Sequence, residues 1–433
     1  MGVFASFGRT GFETLQNIVS AHRIVILGGG FGGLMTALEI ERRCGCIDEC
    51  IVTLIDRASE HVYTPLLYEV ASGFLQEPGR VCRGELKGGV CVSFEQYREI
   101  IGSRHIRFVR GEVIGLNRVS KEVLLKDGES VTYDDLVIAL GSQTNYNGIS
   151  GLQQYAFPMK TLHEAYRLRA RIHEFLERYR EGVEQNISIV VGGAGATGTE
   201  LAGELGNFFT RLTREKVLRD GAWSVRLVEA GPEILSAFSS RVRVLARERL
   251  ARLGVTVLTH TKIEELTEKT IRLTTQQETQ ETEADVVVWC GGIRPNSLLA
   301  SFGLPLGPKG HLEVDAFLRV KGEEEIFALG DATAMAPPLA QAAIAQASLL
   351  AENLMLHAQK KPLLAWRAKE TWPAIIPVGG KFAIITIGRF VFHGTFGYWV
   401  RKVADARYLF RILPFKEAWQ VWSHGAKTYL SND

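Results

Sequence analysis

Apolar residues in this chain fall into two rhythms, and their order along the sequence predicts most of the architecture. Residues 23–27, RIVIL, read as a short β-branched strand; GGGFGG follows at once, and LMTALEIERR continues with apolar positions three and four apart. The reading is strand, glycine loop, helix. The same succession returns downstream in ISIVVGGAGATGTELAGEL. Each unit is followed by a second strand, IVTLID ending in Asp56 and SVRLVEAG passing through Glu229. Each half then closes in a strand that runs into glycine, YDDLVIALGS at Gly141 and ADVVVWCGGIRPN at Gly291 and Gly292. One further strand, EEIFALGDAT, ends in Gly330 and Asp331. Strands alternating with helical segments predict an α/β protein with parallel sheets. The polar tract TTQQETQETEAD reads as a solvated hairpin tip.

The glycine spacing adds chemistry to this outline. Gly28, Gly30 and Gly33, and again Gly193, Gly195 and Gly198, occupy the positions of GxGxxG. The first glycine allows the tight turn, the second lets backbone approach a pyrophosphate, and the third lets helix and strand pack closely. Asp56 is placed to accept hydrogen bonds from an adenosine ribose. Glu229 is its counterpart in the second unit. Its negative charge favours a free 2′-hydroxyl and opposes a 2′-phosphate, which selects NADH over NADPH; Arg226, Arg241 and Arg243 are the residues that would soften that preference. Asp331 can accept hydrogen bonds from a polyol chain while the helix expected after it offers N–H groups to an anion; an ordinary helix N-cap is the alternative.

Composition narrows the classes. A chain of 433 residues points to two or three domains, and 46% hydrophobic with 23% charged residues excludes bulk disorder. Fifty Lys plus Arg against 48 Asp plus Glu leaves +2, too balanced for a protein that grips nucleic acid. Six cysteines do not form a disulfide framework at this length and no secretory signal is seen, so a reducing compartment is expected. No run of 18 apolar residues predicts a transmembrane helix. Met1, Gly2 and Ser6 match a myristoylation pattern short enough to arise by chance. Phe4, Phe7, Phe12, Leu15 and Ile18 suit either an amphipathic leader or a lid. Cys44, Cys46 and Cys50 form CxCxxxC without a fourth ligand, so no metal is expected. Near the end, Phe396, Trp399, Val400, Val403, Ala406, Phe410 and Leu413 fall at helical spacing with Arg401, Lys402, Asp405 and Arg407 largely off the stripe. Pro414 breaks the run, and Phe415, Trp419 and Trp422 recur at i, i+4 and i+7. Such a pair suits an interfacial anchor at a membrane surface; a core-packing or dimer-forming helix pair is the alternative.

The order GGGFGG, Asp56, ALGS, GGAGATGTELAGEL, Glu229, WCGGIRPN and FALGDAT resembles flavoproteins with two dinucleotide-binding domains over residues 22–347. Within them, YTPLLYEVASG at 63–73, TGTELAGEL and PPLAQAAIAQ resemble the type II NADH dehydrogenases, the single-subunit NADH:quinone oxidoreductases. The resemblance implies two Rossmann-like domains: FAD-binding over 22–150 and 291–375, NADH-binding inserted at 151–290, and a membrane-facing helical segment at 376–433. It implies FAD held by Gly28, Gly30, Gly33, Asp56, Gly141, Gly330 and Asp331, and NADH held by Gly193, Gly195, Gly198 and Glu229. Glu200 is then expected near the nicotinamide, and Glu177 near flavin and quinone as a proton relay. An acid favoured in a first helical turn and a solvated helical glutamate are the plain alternatives for these two. The family pattern AQxAxQ sets two glutamines four apart, whereas here Gln341 is followed by Ala345 and Gln346. At about 100° per residue Gln346 is turned well away, so Gln341 alone is in register for quinone. The implied reaction passes hydride from NADH to FAD and two electrons to quinone, without proton pumping, peripherally on the cytoplasmic face of a membrane or an equivalent organelle surface. Disulfide reductases and sulfide:quinone reductases of this superfamily need cysteines beside the flavin that are missing from those places here. A flavin reductase with a soluble acceptor, and a nucleotide-responsive redox sensor, remain as alternatives. A homodimer is left open.

Overall fold

Two five-stranded parallel sheets carry the two strand–glycine–helix units. In the computed structural model, which describes residues 21–44, 50–72, 91–93 and 106–430, the first sheet contains β1 (His22–Leu27), β2 (Cys50–Asp56), β3 (Ile106–Arg110) and β4 (Asp135–Ile138). The second contains β5 (Ile187–Gly192), β6 (Trp223–Val228), β7 (Val255–Leu258) and β8 (Val286–Trp289), with the short strand Phe157–Pro158 at its edge. The chain then returns to the first sheet with β9 (Ile326–Ala328), giving the order β9-β4-β1-β2-β3 beside the second sheet's 157–158-β8-β5-β6-β7. In each sheet the glycine-bearing strand therefore has its successor on one side and a later strand on the other. That reversal opens a crevice at the carboxyl ends of the strands.

Alternation along β1 buries both faces. Ile24 and Ile26 pack with Leu34, Leu38 and Leu350, from the helices α1 (Phe31–Cys44) and α6 (Ala340–Ala358), while Val25 and Leu27 pack with Leu125, Phe302 and Val320 on the other side. Between these helices in sequence lie α2 (Leu67–Ala71), α3 (Leu162–Arg180), α4 (Ala196–Arg214) and α5 (Ser240–Arg252). α3 starts in a capping box: Glu164 N–H donates to Thr161 Oγ1 at 3.3 Å and Thr161 N–H to the Glu164 carboxylate at 2.7 Å.

The C-terminal segment touches both sheet units. Ala374–Pro377, Ala383–Ile387 and Phe390–Gly394 form an antiparallel three-stranded sheet. Its first turn lies on α4, where a Cβ on Gly203 would come within 3.0 Å of Gly379 N. Arg249 of α5 donates to the carbonyls of Val378 and Gly379 at 3.1 and 2.9 Å, and Gly380 N–H donates to Glu204 of α4 at 3.2 Å. The helices α7 (Thr395–Ile412) and α8 (Phe415–Leu430) follow, parted at Pro414. Tyr408, Leu409 and Ile412 complete the core around Ile24 and Ile26. Among the described residues no helix is long and apolar enough to cross a membrane. The N-terminal apolar positions and Cys46 lie outside the described residues; Cys44 closes α1 and Cys50 is buried in β2. No group of three or more His, Cys, Asp or Glu among the described residues is arranged to hold a metal ion.

Far from the glycine loops, the fully buried Asp135 carboxylate accepts from His22 Nε2 at 2.8 Å and lies 2.9 Å from His357 Nδ1. The bond to Asp135 raises both imidazoles, with Asp134 adding at His22 and Glu325 at His357; the two histidines in turn hold the Asp135 carboxyl below its usual range against the cost of burial. Raised histidines stabilise the fold below their unfolded pKa of about 6.5, and a lowered aspartate stabilises it above its unfolded value of about 3.9. The gap in thermal midpoint between the parent and His22→Gln/His357→Gln is thus expected to be widest near pH 5.5. It should shrink as pH rises through the raised histidine values; a gap that grows toward pH 8 contradicts this.

Candidate active site

The two glycine loops repeat one geometry. Gly28 has φ +101°, and a Cβ there would press on the Ala139 carbonyl; Gly193 has φ +93°, and a Cβ there would press on Gly291. A Cβ on Gly33 would strike the Gly28 carbonyl, and one on Gly198 the Gly193 carbonyl. Gly30 and Gly195 are the opposite case, with no atom within 4 Å of an added Cβ. Closed first and third glycines around an open second one make a cradle that a side chain would fill and a diphosphate fits. The acids at the ends of the neighbouring strands tie these loops down. Asp56 accepts from Gly29 N–H at 2.6 Å and Ala58 N–H at 2.8 Å, and Glu229 accepts from Ala194 N–H and Gly231 N–H, both at 2.8 Å. Of the arginines that the sequence offers to a 2′-phosphate, Arg226 donates to Ser188 Oγ and the Glu283 carbonyl at 3.0 Å, at the other end of the sheet from Glu229. Arg241 is exposed and Arg243 half-buried in the first turn of α5.

Asp331 lies where β9 meets the first loop. Ser142 Oγ donates to it at 2.5 Å, Lys160 Nζ donates to Ser142 Oγ at 2.7 Å, and Lys160 is 3.8 Å from the Asp331 carboxylate. Gly330 takes φ +65°, and Gly141 beside it takes φ +64° with open space at its Cβ. Only a single 3-10 turn, Gly330–Ala332, follows β9. The long helix expected directly after Asp331 starts at Ala340, because Pro337 and Pro338 disfavour helical backbone in the residues before them.

The glutamines of α6 have separate tasks. Gln346 is fully buried, and its side-chain carbonyl accepts from Gly330 N–H at 2.8 Å. Gln341 is exposed in the first turn, donating to the Pro373 carbonyl at 3.2 Å. The five-residue spacing thus sends Gln346 to the loop that carries Asp331 and leaves Gln341 exposed at the start of α6.

Glu200 stands part-buried in α4, just past its first turn. Burial, and after it the nearby Glu69, pushes its carboxyl well above the usual range, and burial together with Glu200 raises the neighbouring Cys290 thiol to about 12. Both effects favour neutral groups at this point. Glu177 lies elsewhere, exposed on the solvent side of α3, where its charge acts on His173 of the same helix.

A buried ionic cluster joins α2 to α7. Tyr68 Oη donates to Glu69 at 3.0 Å, Arg401 is 3.4 Å from Glu69 and donates to the Pro65 carbonyl at 3.1 Å, and Tyr63 Oη donates to Asp405 at 2.8 Å. Along α7 the ordinary amphipathic order is inverted. Arg401, Lys402 and Asp405 are 5%, 4% and 8% exposed, whereas Phe396, Trp399 and Val403 are 61%, 49% and 64% exposed. Phe390, Phe392, Phe415 and Trp419 extend the exposed apolar set across the hairpin and α8. Of the predicted stripe, Leu413 is buried and Val400, Ala406 and Phe410 are half-buried.

A profile of the pyridine nucleotide-disulphide oxidoreductases matches residues 22–347. The chain belongs to that family. It is 29% identical over 415 residues to the demethylphylloquinone reductase NdbB of Synechocystis, covering 93% of each chain. It is 28% identical over 381 residues to the type II NADH:quinone oxidoreductase of Haemophilus influenzae, covering 79% of this chain and 82% of that one. Its fold matches that of NDH2 from Plasmodium falciparum, solved in complex with NADH, with a TM-score of 0.81 at 19% identity over 94% of this chain and 98% of that one.

Proposed function

We propose that this chain is a peripheral membrane flavoenzyme that oxidises NADH through FAD and passes the electrons to a quinone, without proton pumping. In this reading residues 22–150 and 291–375 bind FAD, 151–290 bind NADH, and 376–433 rest on the membrane, at its cytoplasmic face or an equivalent organelle surface. FAD supplies a carrier that accepts a hydride and gives up electrons to a second substrate. The chain's own groups bind and orient. Gly30 and Gly195 leave room for the two diphosphates, Asp56 and Glu229 face the adenosine riboses, and Asp331, oriented by Ser142 and Lys160, receives the ribityl hydroxyls beside Gly141. Glu200, whose carboxyl burial shifts toward the neutral form, stands at the nicotinamide end. Gln341, exposed at the start of α6, is the polar anchor for the acceptor. Glu177, exposed on α3, has no part in this assignment.

The inverted α7 carries the quinone reading. Burying three ionisable side chains while exposing Phe396, Trp399 and Val403 is costly in water and favourable at a lipid surface, where a lipid-dissolved acceptor would be met. The family relatives named as quinone reductases support the same assignment. The test uses vesicles that contain a long-chain quinone, with ferricyanide as a water-soluble comparison. NADH oxidation by the embedded quinone is expected only when protein is bound to the vesicles, with ferricyanide reduced in either state. Ferricyanide reduction with no quinone reduction at all would favour a soluble acceptor, the reading to which the displacement of Gln346 leans.

A further inference from the structure

Behind the first glycine loop runs a buried polar connection to the C-terminal helix. His61 is 2% exposed; its Nδ1 lies 2.9 Å from the Gly29 carbonyl oxygen and its Nε2 2.7 Å from Tyr408 Oη. A carbonyl only accepts, so Nδ1 carries the hydrogen and Nε2 accepts from the phenol. Burial pushes the imidazole down to about 4, which keeps the ring neutral and this tautomer in place at ordinary pH. The surroundings leave the ring little freedom. Phe31 meets it edge-on at 5.4 Å and meets Tyr408 at 5.2 Å, while Tyr63 stacks on Tyr408 at 5.1 Å and donates to Asp405 on the same helix.

The consequence lies in the peptide between Gly29 and Gly30. A trans peptide points its C=O and the following N–H in opposite directions, so pinning the Gly29 carbonyl turns the Gly30 N–H away from His61. The preceding peptide is held through Gly29 N–H by Asp56. Three consecutive glycines, 28 to 30, have no side-chain preference that would prevent a flip of this plane. The Gly29 carbonyl therefore depends on an outside donor, and His61 is one.

We propose that His61 is a positioning residue for the FAD diphosphate, that Tyr408 holds it in register, and that FAD retention is thereby coupled to the seating of the C-terminal helix α7. This rests on placing the FAD diphosphate at the first glycine loop. Coupling is reciprocal, so bound FAD steadies the docking of α7 by the same factor.

The experiment follows the fluorescence of FAD released on dilution of holoprotein, with NAD+ affinity measured in parallel. Release is expected to be at least about tenfold faster in His61→Leu and about threefold faster in Tyr408→Phe, with NAD+ affinity unchanged. His61→Asn, whose amide can reach the same carbonyl from the Nδ1 position, should stay within about threefold of the parent. If His61→Leu does not fold, Tyr408→Phe and His61→Asn against the parent carry the test. Parent-rate release in His61→Leu, a His61→Asn as leaky as His61→Leu, or a matching loss of NAD+ affinity in His61→Leu each overturns the inference. Gly30→Leu separates the two levels. Accelerated release there beside a parent-like His61→Leu leaves the loop assignment standing without the latch, and parent-rate release in both removes the assignment and the latch with it.

Discussion

Gly195→Val is expected to raise the Kd for NADH by at least about a hundredfold while the flavin stays bound and the fold is unchanged. Gly195 has φ −69° and ψ −169°, extended backbone that any residue adopts, and an added Cβ meets no protein atom within 4 Å. A valine therefore costs the apoprotein little, and its bulk enters the space assigned to the nucleotide diphosphate. Gly198 makes the contrast, since a Cβ there strikes the Gly193 carbonyl and damages the turn itself. Anaerobic titration of the flavin absorbance with NADH measures the affinity, and a thermal midpoint within about 2 °C of the parent shows that the fold has held. A variant that keeps its NADH affinity would contradict nucleotide binding at the second loop.

Trp399→Glu combined with Phe415→Glu is expected to lower partitioning into anionic vesicles by at least about a hundredfold. Each large apolar side chain contributes about 2 kcal/mol when fully buried, and a carboxylate adds repulsion from an anionic surface. Both residues are exposed, at 49% and 74%, so their replacement leaves the core intact. Sedimentation with vesicles reads the partitioning, and NADH:ferricyanide turnover in solution, expected at the parent level, shows that the nucleotide sites are undisturbed. Undiminished vesicle binding would move the attachment away from this face. Vesicle binding lost together with ferricyanide turnover would show instead that the face supports the active site from within.

What was legible in the sequence and what was not divides along chain distance. GxGxxG is a local device: turn, close approach and helix packing all act within six residues, so Gly28 to Gly33 and Gly193 to Gly198 could be read with their roles. Asp56 and Glu229 were legible as strand-terminal acids, although nothing local showed that both would also clamp the loop backbone. Lys160 and Ser142 reach Asp331 from 171 and 189 positions away in number, and His61 meets Tyr408 across 347, separations at which a lone sequence has no pairing signal. The shifted glutamine was visible as a spacing, but the partner that takes Gln346, the Gly330 N–H, depends on how α6 lies against β9. On α7 periodicity located the stripe and left its direction open. A helical pattern states which residues share a face, and only packing against α2 and the first sheet decides that Arg401, Lys402 and Asp405 turn inward.

In the proposed reaction electrons pass from NADH to a flavin held in this chain and on to a quinone. A single anaerobic absorbance trace on holoprotein tests it: NADH is added first, then a quinone in vesicles. The flavin band is predicted to bleach on the first addition and to recover on the second. No bleaching with flavin present would contradict this reaction at its first step, and bleaching without recovery would contradict it at the second.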